Sequence, residues 1–288
     1  MIYYLWILFA SALFSLQFLL NRAYQRSAGA SLGSAVCFSL FSNLAIAIAM
    51  FLGSGLTFRW TPFSLALALL MGATNLGYLF CSTKALSMAN MSAFSVFAML
   101  GGMFLPFTAG ILLWREELSW GKGIGCILIF AALFLGLQKG ENHRKSNLYC
   151  LAVFVLNGLF GVWSKWHQSD SSQSVSSTSF SLLASLCTVG LCLLVLLFVR
   201  PAARQLPAIL HSGKNWGCMA GYGLINGGAN LVALVALLHL PASVQYPLIT
   251  GAVIVFSTLL GLFMGEKPTA KGIGAAALSF AAMLAVCL

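Results

Sequence analysis

The charged residues of this 288-residue chain are confined to short clusters, and long uncharged runs lie between them. Runs without Asp, Glu, Lys or Arg cover 1–21, 27–58, 60–83, 85–114, 123–138, 146–164, 171–199, 215–265 and 272–288. A helix needs about 20 mostly apolar residues to cross a bilayer core, and most of these runs reach that length. Only 7% of the residues are charged and 60% are hydrophobic, where a soluble domain carries roughly 25% charge. There is too little polar surface to coat a globule in water. A soluble enzyme, a disordered tail and a nucleic-acid module are excluded on that ground, and the lipid bilayer is the expected surrounding.

The run 215–265 is long enough for two helices, divided around His239-Leu240-Pro241, because proline disfavours a helical residue before it. Two short runs, after Lys122 and Lys271, reach spanning length if each lysine extends to the interface. The pattern predicts an all-α integral membrane protein with ten transmembrane helices near 2–21, 33–53, 62–86, 91–114, 119–138, 147–166, 177–199, 214–238, 242–264 and 269–288. Ala10-Ser11-Ala12 mimics a signal-peptide cleavage site. No basic residue precedes the apolar run, however, and the run continues past the site, so the first span is expected to stay.

The net charge of +10, from 15 Lys and Arg against 5 Asp and Glu, sits in the gaps, where basic residues orient helices and meet anionic head groups. Eleven of those fifteen cations follow odd-numbered spans, which by the positive-inside rule puts both termini outside. The eight cysteines fall in or beside apolar segments without a C-x-x-C pair. They read as small hydrophobes, and neither a disulfide framework nor a metal site is expected.

The chain also repeats itself. Glu117-Leu118-Ser119-Trp120-Gly121-Lys122-Gly123-Ile124-Gly125 returns as Glu266-Lys267-Pro268-Thr269-Ala270-Lys271-Gly272-Ile273-Gly274. Tyr3-x-Leu5 and Leu13-Phe14 return as Tyr149-x-Leu151 and Leu159-Phe160, and Asn75-x-Gly77 as Asn226-x-Gly228. The expected organisation is a five-helix repeat over 1–138, a linker at 139–146 and a second five-helix repeat over 147–288. Five is odd, so the second copy enters the bilayer inverted, an arrangement typical of transporters with a site at the repeat interface.

Glu-x-x-[Ser/Thr] before a helix, followed by Gly-x-Gly and an apolar closing helix, resembles the drug/metabolite transporter superfamily, specifically its EamA-type ten-helix members. The resemblance covers the whole chain. It implies a secondary carrier or exporter of small metabolites, in the inner (plasma) membrane of a bacterium, with both termini inside. It also implies a central cavity lined by helices 1, 3, 4, 6, 8 and 9, with the terminal helices of each repeat packing halves or subunits together. It brings no universal catalytic residues. The smaller multidrug-resistance relatives rely on a glutamate in the first helix for proton exchange. This chain has Ser11, Phe14, Ser15 and Gln17 in that region, so carboxylate-coupled export of cations is disfavoured.

Glu117 and Glu266 read either as coupling carboxylates or as acids at positive helix ends beside the N-cap residues Ser119 and Thr269. Polar side chains within a bilayer usually face the bundle interior. At helical spacing, Gln17 and Asn21 align on span 1, Asn75, Tyr78 and Ser82 on span 3, Asn157 and Ser164 on span 6, Asn226 and Asn230 on span 8, and Gln245, Tyr246 and Thr250 on span 9. Gln17, Asn75, Tyr78, Asn157, Asn226, Asn230, Gln245 and Tyr246 are the candidate substrate contacts. The same amides could instead tie helices together, and Gly101-Gly102 could be a hinge or a close-packing site.

The expected function is transport of a small neutral or zwitterionic metabolite by alternating access, with the lipid bilayer and the substrate as partners, no cofactor or metal, and a monomer or homodimer as the unit. A non-transporting structural or lipid-handling role is the alternative. An intramembrane enzyme is disfavoured: no two histidines are spaced as in H-E-x-x-H, and Asp170 is the single aspartate.

Overall fold

The computed structural model describes residues 2–115, 120–136, 144–170, 172–237, 242–265 and 270–286. These residues form helices and connections, with no strand among them: α1 (Ile2–Ala28), α2 (Leu32–Gly53), α3 (Pro62–Met88), α4 (Met91–Trp114), α5 (Trp120–Gly136), α6 (Arg144–Ser169), α7 (Ser177–Phe198), the short α8 (Arg200–Ala203) and α9 (Leu206–Leu210), α10 (Gly213–Leu237), α11 (Ala242–Phe263) and α12 (Ala270–Val286). Six of them are long and apolar enough to cross a membrane: α1, α2, α3, α4, α6 and α7.

Local chemistry sets several boundaries. Ser31, Thr61 and Ser176 stand just before α2, α3 and α7, and each side-chain oxygen accepts the backbone N–H three residues on. This satisfies one of the amides a helix start leaves without a partner. Pro62 occupies the first turn of α3, where its missing N–H costs nothing. α1 runs past the expected stop at residue 21, through Arg22 and Arg26 to Ala28. Tyr24 explains the extension: it is fully buried and donates a 2.8 Å hydrogen bond to the Ser34 carbonyl, which fastens the last turns of α1 to α2.

The helices pack in an interlaced pattern. α1 lies on α10 and α11, while α6 lies on α3 and α4; α2 packs against α10, and α7 against α3. Three pairs close the bundle: α2 with α7, α4 with α11 and α5 with α12. Close approach is built in at two crossings. A methyl group at Gly101 of α4 would stand 2.0 Å from the Phe154 carbonyl oxygen of α6, and one at Gly223 of α10 would stand 2.3 Å from the Ser42 carbonyl oxygen of α2. Gly101 is therefore a packing position between two helix backbones.

The main core cluster runs through the bundle, with Phe18, Phe38, Phe94, Phe97, Leu79 and Met219 among its buried members. The outer surface is just as apolar. Trp120, Phe263, Leu112, Phe198 and Phe134 are each at least 75% exposed. A contiguous apolar coat of this kind is unfavourable in water and suited to lipid, and it fits an integral membrane protein.

Candidate functional site

Several of the bundle's polar side chains meet at helix–helix seams. Gln17 of α1 is buried, and its Oε1 accepts a 2.5 Å hydrogen bond from Asn226 Nδ2 of α10. One turn further along α10, Asn230 Nδ2 donates to the Asn226 carbonyl oxygen at 2.8 Å and to its Oδ1 at 3.0 Å. A second seam joins three helices. Asn75 of α3 donates to Asn43 Oδ1 of α2 at 2.7 Å and to Thr188 Oγ1 of α7 at 3.4 Å. On α6, Asn157 donates to the Ala98 carbonyl of α4 at 2.6 Å, and Trp163 Nε1 donates to Thr74 Oγ1 of α3 at 3.1 Å. Gln17, Asn75, Asn157 and Asn226 thus each spend a polar atom on another helix. Leaving such an amide without its partner inside the bundle costs about 1–3 kcal/mol.

The two ends of the bundle are tied differently. Toward the C-terminal ends of α1 and α3, Asn21 Nδ2 donates to Ser82 Oγ at 3.0 Å, and Thr83 Oγ1 donates to Asn21 Oδ1 at 3.4 Å. Where α6 ends and α3 and α7 begin, the fully buried His167 takes the equivalent role. Its ring stacks on Phe180 at 3.9 Å and lies parallel to Phe63 at 6.2 Å. Nε2 accepts the Val175 N–H at 3.3 Å and lies 2.9 Å from Ser64 Oγ. An accepting Nε2 assigns the ring proton to Nδ1 and the Ser64 hydroxyl as the second donor. Thr61 Oγ1 donates to the Gln173 carbonyl at 2.6 Å, so the α6–α7 loop is fastened to the start of α3. Within that loop Asp170 Oδ1 accepts from the Ser172 hydroxyl and from the Ser172 and Gln173 amides. Those hydrogen bonds, the hydroxyl's first, hold its carboxyl below its usual value of 3.8.

Two phenols stand apart from this network. Tyr78 of α3 is 7% exposed and meets Phe160 of α6 edge-on at 6.0 Å. Tyr222 of α10 is 6% exposed and meets Phe38 of α2 at 4.9 Å. Neither hydroxyl has a hydrogen-bond partner among the described residues, whereas the equally buried Tyr24 does.

The candidate contacts therefore fall into three places: Gln17, Asn226 and Asn230 on the α1–α10 seam, Asn75 on the α2–α3–α7 seam, and Asn157 on the α4–α6 seam. Tyr78 stands apart from the amides. The side chains of Gln245 and Tyr246 lie outside the described residues, as do Glu117, Ser119, Glu266, Thr269 and His239. Lys84 is half-buried near the end of α3, and Lys165 Nζ sits 5.2 Å over the Trp114 ring. No cluster of three metal-ligating side chains occurs among the described residues. Tyr222 and His167 emerge only from the fold. Tyr222 did carry a signal, since it lies one helical turn before Asn226 on the same face.

The fold and its apolar coat define a class, a helical bundle with six helices long and apolar enough to span a membrane. Comparison with known proteins adds a fold likeness and no family. A solved protein described only as "Crystal structure of protein" aligns with 99% of this chain and 94% of its own, with a TM-score of 0.59 and 18% sequence identity. No family model matches the chain, and no curated protein matches it.

Proposed function

We propose that the chain is a ten-span secondary carrier of the EamA type, built as two inverted five-helix repeats, that exports a small neutral or zwitterionic metabolite by alternating access. The observation that carries this reading is the interlaced helix pairing. Let α1, α2, α3, α4 and α5 exchange with α6, α7, α10, α11 and α12. The pair α1–α10 then becomes α6–α3, α1–α11 becomes α6–α4, α2–α10 becomes α7–α3, and α4–α5 becomes α11–α12; all of these pairs occur. The pairs α2–α7, α4–α11 and α5–α12 map onto themselves. Such an exchange pattern is what an internal two-fold relation between repeats produces.

The pattern departs at α4–α12, which has no comparable α5–α11 pair, and again at α3, where the departure gives the reading a mechanism. α1 and α2 pack against α3, while α6 and α7 do not pack comparably against α10. The bundle is drawn together on the side where Asn21 meets Ser82 and Thr83, and is looser at the exchanged position. Alternation is the reversal of that difference: the α1–α3 contact opens and an α6–α10 contact forms. Polar seams such as Gln17–Asn226 move within a body, while Asn21–Ser82 is made and broken. An inner (plasma) membrane location and service as a monomer or homodimer belong to the same reading.

The test is flux under a reversible lock. Cells making the wild-type protein, or an Asn21→Cys/Ser82→Cys variant of matched membrane abundance, are compared for released metabolites. The variant is bridged by a short thiol-reactive cross-linker that a reductant cleaves. The expected result is a compound released by the wild type, lost on bridging and recovered on reduction. Absence of any protein-dependent release from a broad panel would overturn export. Release that continues through a completed bridge would overturn the gating role of the α1–α3 contact.

A further inference from the structure

Hydrogen bonds and ring contacts bring several chain segments to one end of the bundle. Asn21 near the end of α1 meets Ser82 near the end of α3, and Tyr24 ties α1 to the start of α2. The Ser31 hydroxyl donates to Gln205 Oε1 at the N-cap of α9, and Asn215 at the start of α10 donates to the Ile209 carbonyl of α9 at 2.9 Å. Phe80 of α3 meets Tyr149 of α6 edge-on at 6.4 Å, which places the start of α6 at this same end. Arg26, Arg144, Lys145, Arg200, Arg204 and Lys214 are exposed there. Asp170 is the one acid among the described residues. It lies past the far end of α6, a helix of 26 residues and so about 39 Å long.

At the start of α6 this charge adjoins a groove. The groove holds about 390 Å³ and is lined by Arg144, Asn147, Leu148 and Leu151; small-ligand sites span about 300–1,000 Å³. The four residues recur three and four positions apart, so they share one face of the helix. From Arg144, Leu148 lies about 6 Å and Leu151 about 10 Å further along the axis. These two leucines are 65% and 41% exposed. A cation at the end of the bundle followed by bare leucines along its wall matches the order of a phospholipid, headgroup first and acyl chain beyond. The first turn of α6 also carries Arg144 and Lys145 and no acid, although the positive end of a helix favours an anion.

We propose that this groove seats one anionic phospholipid, with its phosphate on Arg144 and Lys145 and an acyl chain along Leu148 and Leu151. The inference goes beyond the carrier reading and needs only that the chain lies in a bilayer. The Arg144 guanidinium can hold two phosphate oxygens in a fork, and the Lys145 ammonium adds a point charge. Lipid tails are as apolar as leucine, so the chain fixes the position while the headgroup supplies the preference. A zwitterionic headgroup brings its own ammonium to a cationic place and gains less. A soluble phosphate gains the charge and leaves the leucines uncovered. Arg200 and Arg204 belong to the same cationic end but not to the groove, which makes them the internal comparison.

The test uses the purified full chain in detergent with equal amounts of phosphatidylglycerol and phosphatidylcholine of identical acyl chains, and native mass spectrometry counts the lipid retained. The wild type is expected to keep one phosphatidylglycerol in preference to phosphatidylcholine. Arg144→Gln and Lys145→Gln should each lower that preference about fivefold, the worth of one cation beside an anionic headgroup. Arg200→Gln/Arg204→Gln should leave it unchanged, and excess glycerol 3-phosphate should not displace the lipid. The preference is a ratio taken within each variant, so a change in intrinsic stability cancels. Equal retention of the two lipids, or an undiminished preference in Arg144→Gln, would overturn the site. An equal loss in Arg200→Gln/Arg204→Gln would replace the groove by a diffuse cationic surface, and displacement by glycerol 3-phosphate would replace the lipid by a soluble anion; either outcome overturns the proposal. No flux is read, so its failure and the failure of the carrier reading are separate results.

Discussion

Gly101→Ala offers the sharpest test of how α4 and α6 are held together. The new methyl would stand 2.0 Å from the Phe154 oxygen, 2.6 Å from its carbonyl carbon and 2.7 Å from its Cα. Real Cβ contacts essentially never fall below 3.0 Å, so α4 and α6 must part by about 1 Å. All three atoms belong to a helix backbone, and no rotamer change relieves the clash. Overpacking of this kind costs about 1–3 kcal/mol. The shift also strains the 2.6 Å Asn157–Ala98 hydrogen bond at the same seam, worth about 1 kcal/mol. Alanine's better helix propensity returns at most about 1 kcal/mol. The net expectation is a loss of about 1–3 kcal/mol, roughly fivefold to 150-fold in the folding equilibrium. Reversible unfolding in mixed micelles measures it, with Gly190→Ala and Gly217→Ala as comparators, because an added methyl at either meets nothing within 4 Å. Should Gly101→Ala match the comparators within about 0.5 kcal/mol, the close backbone crossing is wrong.

Other seams yield their own tests. A double-mutant cycle on Asn43→Ala and Asn75→Ala should give a coupling of about 1 kcal/mol, and additivity would show that their 2.7 Å hydrogen bond contributes nothing. His167→Ala removes the acceptor of the Val175 amide and a ring stacked on Phe180. Hydrogen exchange across 172–176 should then accelerate while that of α2 stays unchanged, and unaltered exchange in the loop would refute the clasp. Asp170 titrates below its usual value in the folded chain, so its contribution is present above about pH 4 and fades as pH falls through the depressed folded value. Protection of the Ser172 and Gln173 amides should weaken over that acidic range in the wild type. In Asp170→Asn it should lack the transition, and an identical pH profile in both would contradict the loop geometry.

Helix positions were legible where charged residues bound long apolar runs. The expected spans 33–53, 62–86 and 91–114 differ by at most two residues at either end from α2, α3 and α4, because Arg26, Arg59, Lys84 and Arg115 bound the runs that hold them. The far end of α1 was not legible. Charge at Arg22 suggests a stop, while Tyr24 continues the helix through a contact with α2 that no local pattern reveals. The α8 and α9 turns between Arg200 and Leu210 escape for a related reason, since proline and charge read as a connection. At the candidate site the sequence identified the helix faces but could not apportion hydrogen bonds. Asn75 and Asn226 look alike in the sequence, yet one meets α2 and α7 and the other meets α1. Tyr222 was hidden among 36 aromatic residues, a number that makes any single ring unremarkable before burial is known.

The interlaced packing also sets a timetable for biogenesis. Gln17 forms its hydrogen bond with a residue 209 positions later. At about 5–20 residues per second, Gln17 must wait about 10–40 s from its own synthesis before Asn226 is even made. During that interval α1 lacks α10 and α11, and α5 lacks α12. The early helices therefore need temporary company from their surroundings or from each other, and a ribosome that stalls midway leaves helices without the partners they pack against.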